Sequence, residues 1–174
     1  VVDISNLQKR VNDTLRTEAY QIHPVSKINV YVDTPGQLGQ LNSFTDSLSH
    51  KDFTLYFKGK LKYKPKTFED VIFIEKGKAY SDYQRSQTYR YISNLRNFKY
   101  PSITYSLIDK DRPDLVANVF LNPKERFSMG FDLDLSHSNI QDFGFSVGSS
   151  FGIRNIFRGA ENLEIGVKNT LGSS

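Results

Sequence analysis

Asp132 and Asp134 are the nearest this 174-residue chain comes to a reactive pair. Two carboxylates two residues apart share one face of a strand, a geometry that serves glycoside hydrolysis or a divalent metal. Either chemistry needs a third ligand or an acid in a distinct environment. The neighbouring residues supply neither, so solvation of a wet strand face is the better account. Asp109, Asp111 and Asp114 imitate the start of a calcium loop, but the glycine and closing glutamate are missing and Pro113 stiffens the run, which reads as a polar hairpin tip. His23, His50 and His137 are scattered among loops with no partner acid at useful spacing, and no phosphate-binding glycine loop is present. Zero cysteines rule out disulfides, zinc–cysteine sites and a cysteine nucleophile. No catalytic residue, metal or cofactor is assigned on these grounds, and the chain is expected not to be an enzyme.

Arg85, Arg90, Arg96 and Lys99 with Tyr83, Tyr89 and Tyr91 have the composition of a single-strand nucleic-acid surface. Tyr91, however, falls on the apolar stripe of a predicted helix, and no nucleic-acid motif accompanies the charges. A solvated helix face explains them, and no nucleic-acid partner is expected. The net charge of +4 is uneven, basic up to residue 126 and mildly acidic beyond it. A basic front half is compatible with anionic lipid headgroups as well as with water.

The strongest pattern begins at residue 127. Phe127, Met129, Phe131, Leu133 and Leu135 are apolar at every second position, with Ser128, Gly130, Asp132, Asp134 and Ser136 between them. Period two marks a strand with one face in an apolar medium and one in water. The pattern recurs at Phe143, Phe145, Val147, Phe151 and Ile153, and again at Leu163, Ile165 and Val167. Gly144, Gly148 and Gly152 would read as GxxxG in a helix, but the period-two phenylalanines among them predict a strand. The alternate face is unusually small and polar, and Phe127 to Ser136 has the ~9–11 residues of a membrane-crossing strand. No run approaches the ~18 apolar residues of a transmembrane helix, so residence in a membrane would come through strands.

The elements before these strands are mixed. Residues 3–18 are predicted as a helix, with Ile4, Leu7, Val11 and Leu15 on one face. Residues 27–33 predict a strand, and the Gly-, Ser- and Asn-rich stretch 36–52 a surface loop. A small hairpin or bent strand is expected about Gly59. Thr67 is expected to cap a short helix that Gly77 ends, and Ser81 to cap a longer one carrying Thr88, Tyr91, Ile92 and Leu95. Ile103, Tyr105 and Leu107 predict another strand, with 115–122 as its hairpin partner. Two helices on one face of a three-stranded sheet accommodate this order.

Strand, short helix, glycine, longer helix and hairpin, followed at once by alternating strands, resembles the last POTRA module of the BamA/TamA outer-membrane family running into its β-barrel. Lys64-Pro65, Ile74-Glu75-Lys76-Gly77, Tyr80-Ser81, Thr88, Leu95 and Asn97-Phe98 match positions typical of that module. Leu121 to Phe127 is similar to the family's exit segment. Arg154-Asn155-Ile156-Phe157-Arg158-Gly159-Ala160-Glu161 looks like its second barrel turn, where Arg-Asn-Leu-Phe-Gly-Gly runs are common. The resemblance covers roughly residues 25–171 and is closest to TamA-like members of Bacteroidota. Two departures are an insertion at 35–63 and Arg158 in place of a usual glycine. The opening Val1-Val2, without a start methionine, is expected of a piece of a longer protein.

The resemblance implies a β-α-α-β-β POTRA module at 25–125, preceded by a helix and linker at 1–24 and followed by the first strands of a transmembrane β-barrel at 126–174. It implies an outer-membrane protein of a Gram-negative bacterium, with the module in the periplasm. Its partners would be unfolded outer-membrane protein clients, other envelope assembly subunits and outer-membrane lipid. Ser102, Ile103, Thr104, Tyr105, Ser106, Leu107 and Ile108 would form a client-binding edge strand. Phe127, Met129, Phe131, Leu133 and Leu135 would lie on the first strand of a lateral gate. Arg154, Asn155, Phe157, Arg158, Gly159 and Glu161 would shape the barrel turn. The alternative reading is a soluble periplasmic or surface module that binds protein or glycan.

Overall fold

The computed structural model describes residues 7–11, 14–18, 22–33, 44–109, 112–138 and 141–173. Ten strands and two helices are assigned among them, in three separate sheets.

The first sheet is a hairpin of β1 (Leu7–Val11) and β2 (Thr14–Glu18), with Leu7 opposite Glu18 and Val11 opposite Thr14. This replaces the helix predicted over 3–18; residues 3–6 of that prediction lie outside the described residues. The apolar spacing that suggested a helix rests on only four residues. Thr14, Thr17 and Val11 are β-branched, and the turn-prone pair Asn12-Asp13 separates the strands in sequence.

The second sheet has five strands in the order β4-β5-β3-β7-β6. They are β3 (Val25–Val32), β4 (Asp46–His50), β5 (Phe53–Phe57), β6 (Phe98–Asp109) and β7 (Arg112–Pro123). The three-stranded expectation is too small, because the insertion is itself a hairpin. β4 and β5 pair antiparallel, and β5 adds to β3 in parallel, Val30 beside Leu55. The stretch predicted as a loop over 36–52 therefore contains β4, with residues 36–43 outside the described residues. The hairpin turns at Lys51 (φ 48°) rather than at Gly59, which lies past β5 in a left-handed conformation (φ 67°).

α1 (Pro65–Glu69) and α2 (Asp82–Asn94) cover one face of this sheet. Lys64, not Thr67, is the cap residue of α1, since Pro65 presets the first helical turn and needs no amide partner. Ser81 Oγ accepts from the Gln84 amide as the capping pattern predicts. Gly77 is left-handed (φ 82°) but does not end the short helix as expected: α1 stops at Glu69 with Asp70 as its cap, and Gly77 only turns the chain beyond it. Thr88 and Ile92 are buried, but Tyr91 is exposed beside Phe73, so the apolar stripe of α2 is narrower than its spacing suggests.

Register makes the core. Ile103, Val119, Val30 and Leu55 form one rung across four strands, with Ile28, Ala117 and Phe53 in the rung beside it. These side chains meet Phe68, Val71, Ile74 and Ile92 from beneath the helices. On the opposite face Phe120, Tyr31 and Tyr56 stack in a row with ring centroids 5.1 and 4.9 Å apart.

The third sheet is an antiparallel meander of β8 (Phe127–Ser138), β9 (Gln141–Arg154) and β10 (Asn162–Ser173). The alternation predicts all three, and each strand is longer than its period-two core.

Candidate functional site

In the meander the register aligns apolar with apolar. Phe127, Ile153 and Leu163 share a rung, as do Met129, Phe151 and Ile165, then Phe131, Ser149 and Val167, and Leu135, Phe145 and Leu171. A one-residue slip would scatter this row to both faces, so the pattern itself pins the register. The other face pairs Asp132 with Gly148 and Asp134 with Ser146, and Ser146 Oγ lies 3.0 Å from Thr170 Oγ1.

The apolar face of the meander is open: Met129, Phe131, Leu133 and Leu135 are 71–76% exposed. The polar face is exposed too on the outer strands, at Asp132, Asp134 and Lys168, and is buried only along the central strand β9, at Gly144, Ser146, Gly148 and Gly152. The small side chains of β9 let its polar face pack closely. A Cβ on Gly130 would stand 2.6 Å from Ser150 Oγ, too close to fit without a shift. Asp134 pairs with Lys168 at 3.1 Å across the same face, an exposed ion pair.

The predicted edge residues Ser102 to Ile108 do lie on an edge, since β6 is the outermost strand of the five-stranded sheet. Its ladder to β7 is interrupted between Lys99 and Ser102, where Tyr100 is left-handed (φ 46°) and Pro101 has no amide hydrogen. From Ser102 to Leu107 the pairing is regular, Thr104 opposite Asn118 and Tyr105 opposite Ala117. The ring of Tyr105 meets Tyr80 edge-on at 4.8 Å. Burial pushes its phenol up to about 12, with the Tyr80 hydroxyl adding to the shift. Leu107 and Ile108 project exposed at the strand's far end.

The turn between β9 and β10 brings module and meander together. Asn155 closes it, its amide donating to the Glu161 carbonyl (2.6 Å) and its Oδ1 accepting from the Ala160 amide (3.2 Å). Asn155, Arg158 and Ala160 are all left-handed, with φ of 56°, 68° and 62°. Arg158 thus occupies the kind of backbone position that glycine adopts without strain, while Gly159 beside it does not need that freedom. Desolvation pushes the Glu161 carboxyl up. Amide donors from Glu161 itself, Phe157 and Gly159, with the field of Lys64, outweigh it and hold the group below the usual carboxylate range.

Five hydrogen bonds fasten this turn and the start of β10 to the α+β module. The Lys64 amide donates to the Arg158 carbonyl (2.7 Å), and Asn155 Nδ2 donates to the Lys62 carbonyl (2.9 Å). Buried Asn97 donates to the Ala160 carbonyl (2.6 Å) and to Asn162 Oδ1 (3.1 Å), and Ala160 itself sits in the module's core. Asn162 returns a bond to the Leu95 carbonyl at 2.7 Å. Sequence reading singled out Asn155 and Glu161 in the turn, and Asn97 only as a position typical of the module, but not Asn162 or Lys62. A buried asparagine between two predicted elements was the available signal, because a polar side chain there must find partners.

No protein-family model matches the chain, and no curated protein matches it. Among solved structures it is similar to CdiB from Acinetobacter baumannii, with a TM-score of 0.49 and 11% identity over 97% of this chain and 42% of that one. It is also similar to BamA from Haemophilus ducreyi lacking POTRA domains 1–3, with a TM-score of 0.42 and 9% identity over 86% of this chain and 37% of that one. The chain spans less than half the length of either.

Proposed function

We propose that this chain is the junction of an outer-membrane assembly or translocation factor, in which a periplasmic α+β module passes client chains to a membrane β-barrel that begins with β8. The observation that carries the reading is the exposed apolar face of the meander. Large apolar side chains stand open along three strands in one register, opposite a face of small and polar residues. In water such a face is a liability; against lipid it is the ordinary exterior of a barrel.

Two edges give the module and the meander something to do. β6 offers unpaired backbone groups to an extended client by strand addition, and β8 has a free outer edge among the described residues. On this reading Ser102 to Ile108 take up clients, and Phe127, Met129, Phe131, Leu133 and Leu135 present lipid contacts on the strand that parts for lateral opening. The partners are unfolded outer-membrane protein clients, envelope assembly subunits and outer-membrane lipid.

The test is electrophoretic. Full-length protein should require detergent for extraction and migrate differently before and after boiling, since a closed barrel resists the cold detergent. Extraction into plain buffer with no heat shift would refute the barrel and favour the soluble binding module.

A further inference from the structure

Between the module and the barrel turn lies an open cleft of about 690 Å³. Six cations line it, Lys60, Lys62, Lys124, Arg126, Arg154 and Arg158, against the acidic side chains of Asp33 and Glu125. Three of the six are already engaged. Lys62 pairs with Asp33 at 2.9 Å, Arg154 donates to the Glu125 carbonyl, and Arg126 lies over the Phe127 ring. Among the described residues no ion pair holds Lys60, Lys124 or Arg158. Three cations without an ion pair thus line one concave surface, which offers an anion complementary charge.

The position of the cleft narrows the anion. Arg126 immediately precedes Phe127 and Arg154 immediately follows Ile153, and those two apolar residues form the first rung of the meander. The Arg154 amide donates to the Arg126 carbonyl at 2.8 Å, so this end of the cleft lies one residue, roughly 3.4 Å, beyond the start of the apolar row. On the barrel reading that end stands at the phosphate layer of the bilayer, where long basic side chains meet headgroups.

We infer that the cleft is a binding site for the phosphate of an anionic phospholipid headgroup, held by Lys60, Lys124 and Arg158 at the point where the module meets the membrane. The inference rests on the barrel reading for the membrane's position, while the phosphate chemistry rests on the cleft alone. A headgroup there would bridge the Lys124 segment that leads into β8 to the turn that leads into β10. It would brace the module against the barrel.

The test uses full-length protein in a neutral detergent, followed by native mass spectrometry after titration with phosphatidylglycerol, phosphatidylcholine or glycerol 3-phosphate. The double variant Lys124→Gln/Arg158→Gly removes two cations, and glycine suits the left-handed backbone at 158, so the turn is kept. Each lost cation is worth roughly fivefold near an anionic headgroup, so phosphatidylglycerol retention should fall about 25-fold in the variant, with phosphatidylcholine unchanged. Retention should also weaken as salt is raised. Equal retention of the two lipids by the native protein, or undiminished phosphatidylglycerol in the variant, would overturn the site. Displacement of the lipid by an equal concentration of glycerol 3-phosphate would assign the cleft to a soluble phosphate ester and overturn the lipid source. The boiling shift, read on the same samples, separates the two readings. A shift without lipid selectivity refutes the cleft and leaves the barrel; selectivity without a shift does the reverse.

Discussion

Asn97 holds two parts of the molecule together with one side-chain amide. Its Nδ2 faces the Leu95 and Ala160 carbonyls and Asn162 Oδ1. Replacing it by alanine leaves the buried Ala160 carbonyl without this donor, while the Leu95 carbonyl keeps Asn162. Such an orphan costs roughly 1–3 kcal/mol. Asn97→Ala should therefore loosen the turn at 155–161, seen as faster amide hydrogen exchange there than in β3 of the same protein. Glu161 acts on the same turn through charge. Its folded pKa lies below the ordinary 4.5, so its contribution is complete above 4.5 and is lost as pH falls through the lowered folded value. Thermal unfolding of full-length protein should show an acid limb that Glu161→Gln flattens. An identical acid limb in the variant would mean that other carboxylates dominate.

Among the elements, β6 is the one whose position sets its role. The Tyr100-Pro101 interruption shields the start of the edge, and the regular stretch that follows ends in exposed Leu107 and Ile108. A photo-crosslinking residue at Ile108 should capture an extended client, and the same residue at Tyr83 on the exposed side of α2 should not. Equal capture at both positions would argue for nonspecific contact in place of strand addition. The opposite edge is occupied by β4, a five-residue strand whose Lys51 turn is anchored through Glu69, which also meets His50 Nε2 at 3.2 Å. The insertion thus covers the side of β3 away from β7 and leaves β6 as the longer free edge of the sheet.

For the whole molecule, the two faces of the meander predict opposite tolerance. Leu133 lies mid-strand in the outward row, and Leu133→Arg should cost about 2–4 kcal/mol of insertion if that row meets the bilayer midplane. The boiling shift should shrink or vanish. Asp134→Asn, on the inward face, removes only an exposed ion pair with Lys168 and should leave the shift intact. Matching losses in both variants would place neither face against lipid.

Local chemistry determined much of this protein before any fold was known. Strict alternation at 127–135 specified strand, face and register together, because a slip of one residue would put every apolar side chain on the wrong side. Ser81 marked a helix start through capping, which depends only on nearby backbone, whereas left-handed Gly77 marked a turn and not the end of α1, which stops at Glu69. Residues 7–18 and strand β4 were not legible in that way, although alternation about 53–58 did predict β5. The first carried too few apolar positions to distinguish a period of 3.6 from one of two. The second became strand only by finding β5 to pair with, and polar Asp46 to His50 give no alternation to announce an edge. The junction was decided entirely by tertiary structure. Asn97 and Ala160 are 63 residues apart, and nothing local to either indicates that one will donate to the other. The cationic cleft likewise exists only because chain segments far apart in sequence converge where the first apolar rung begins.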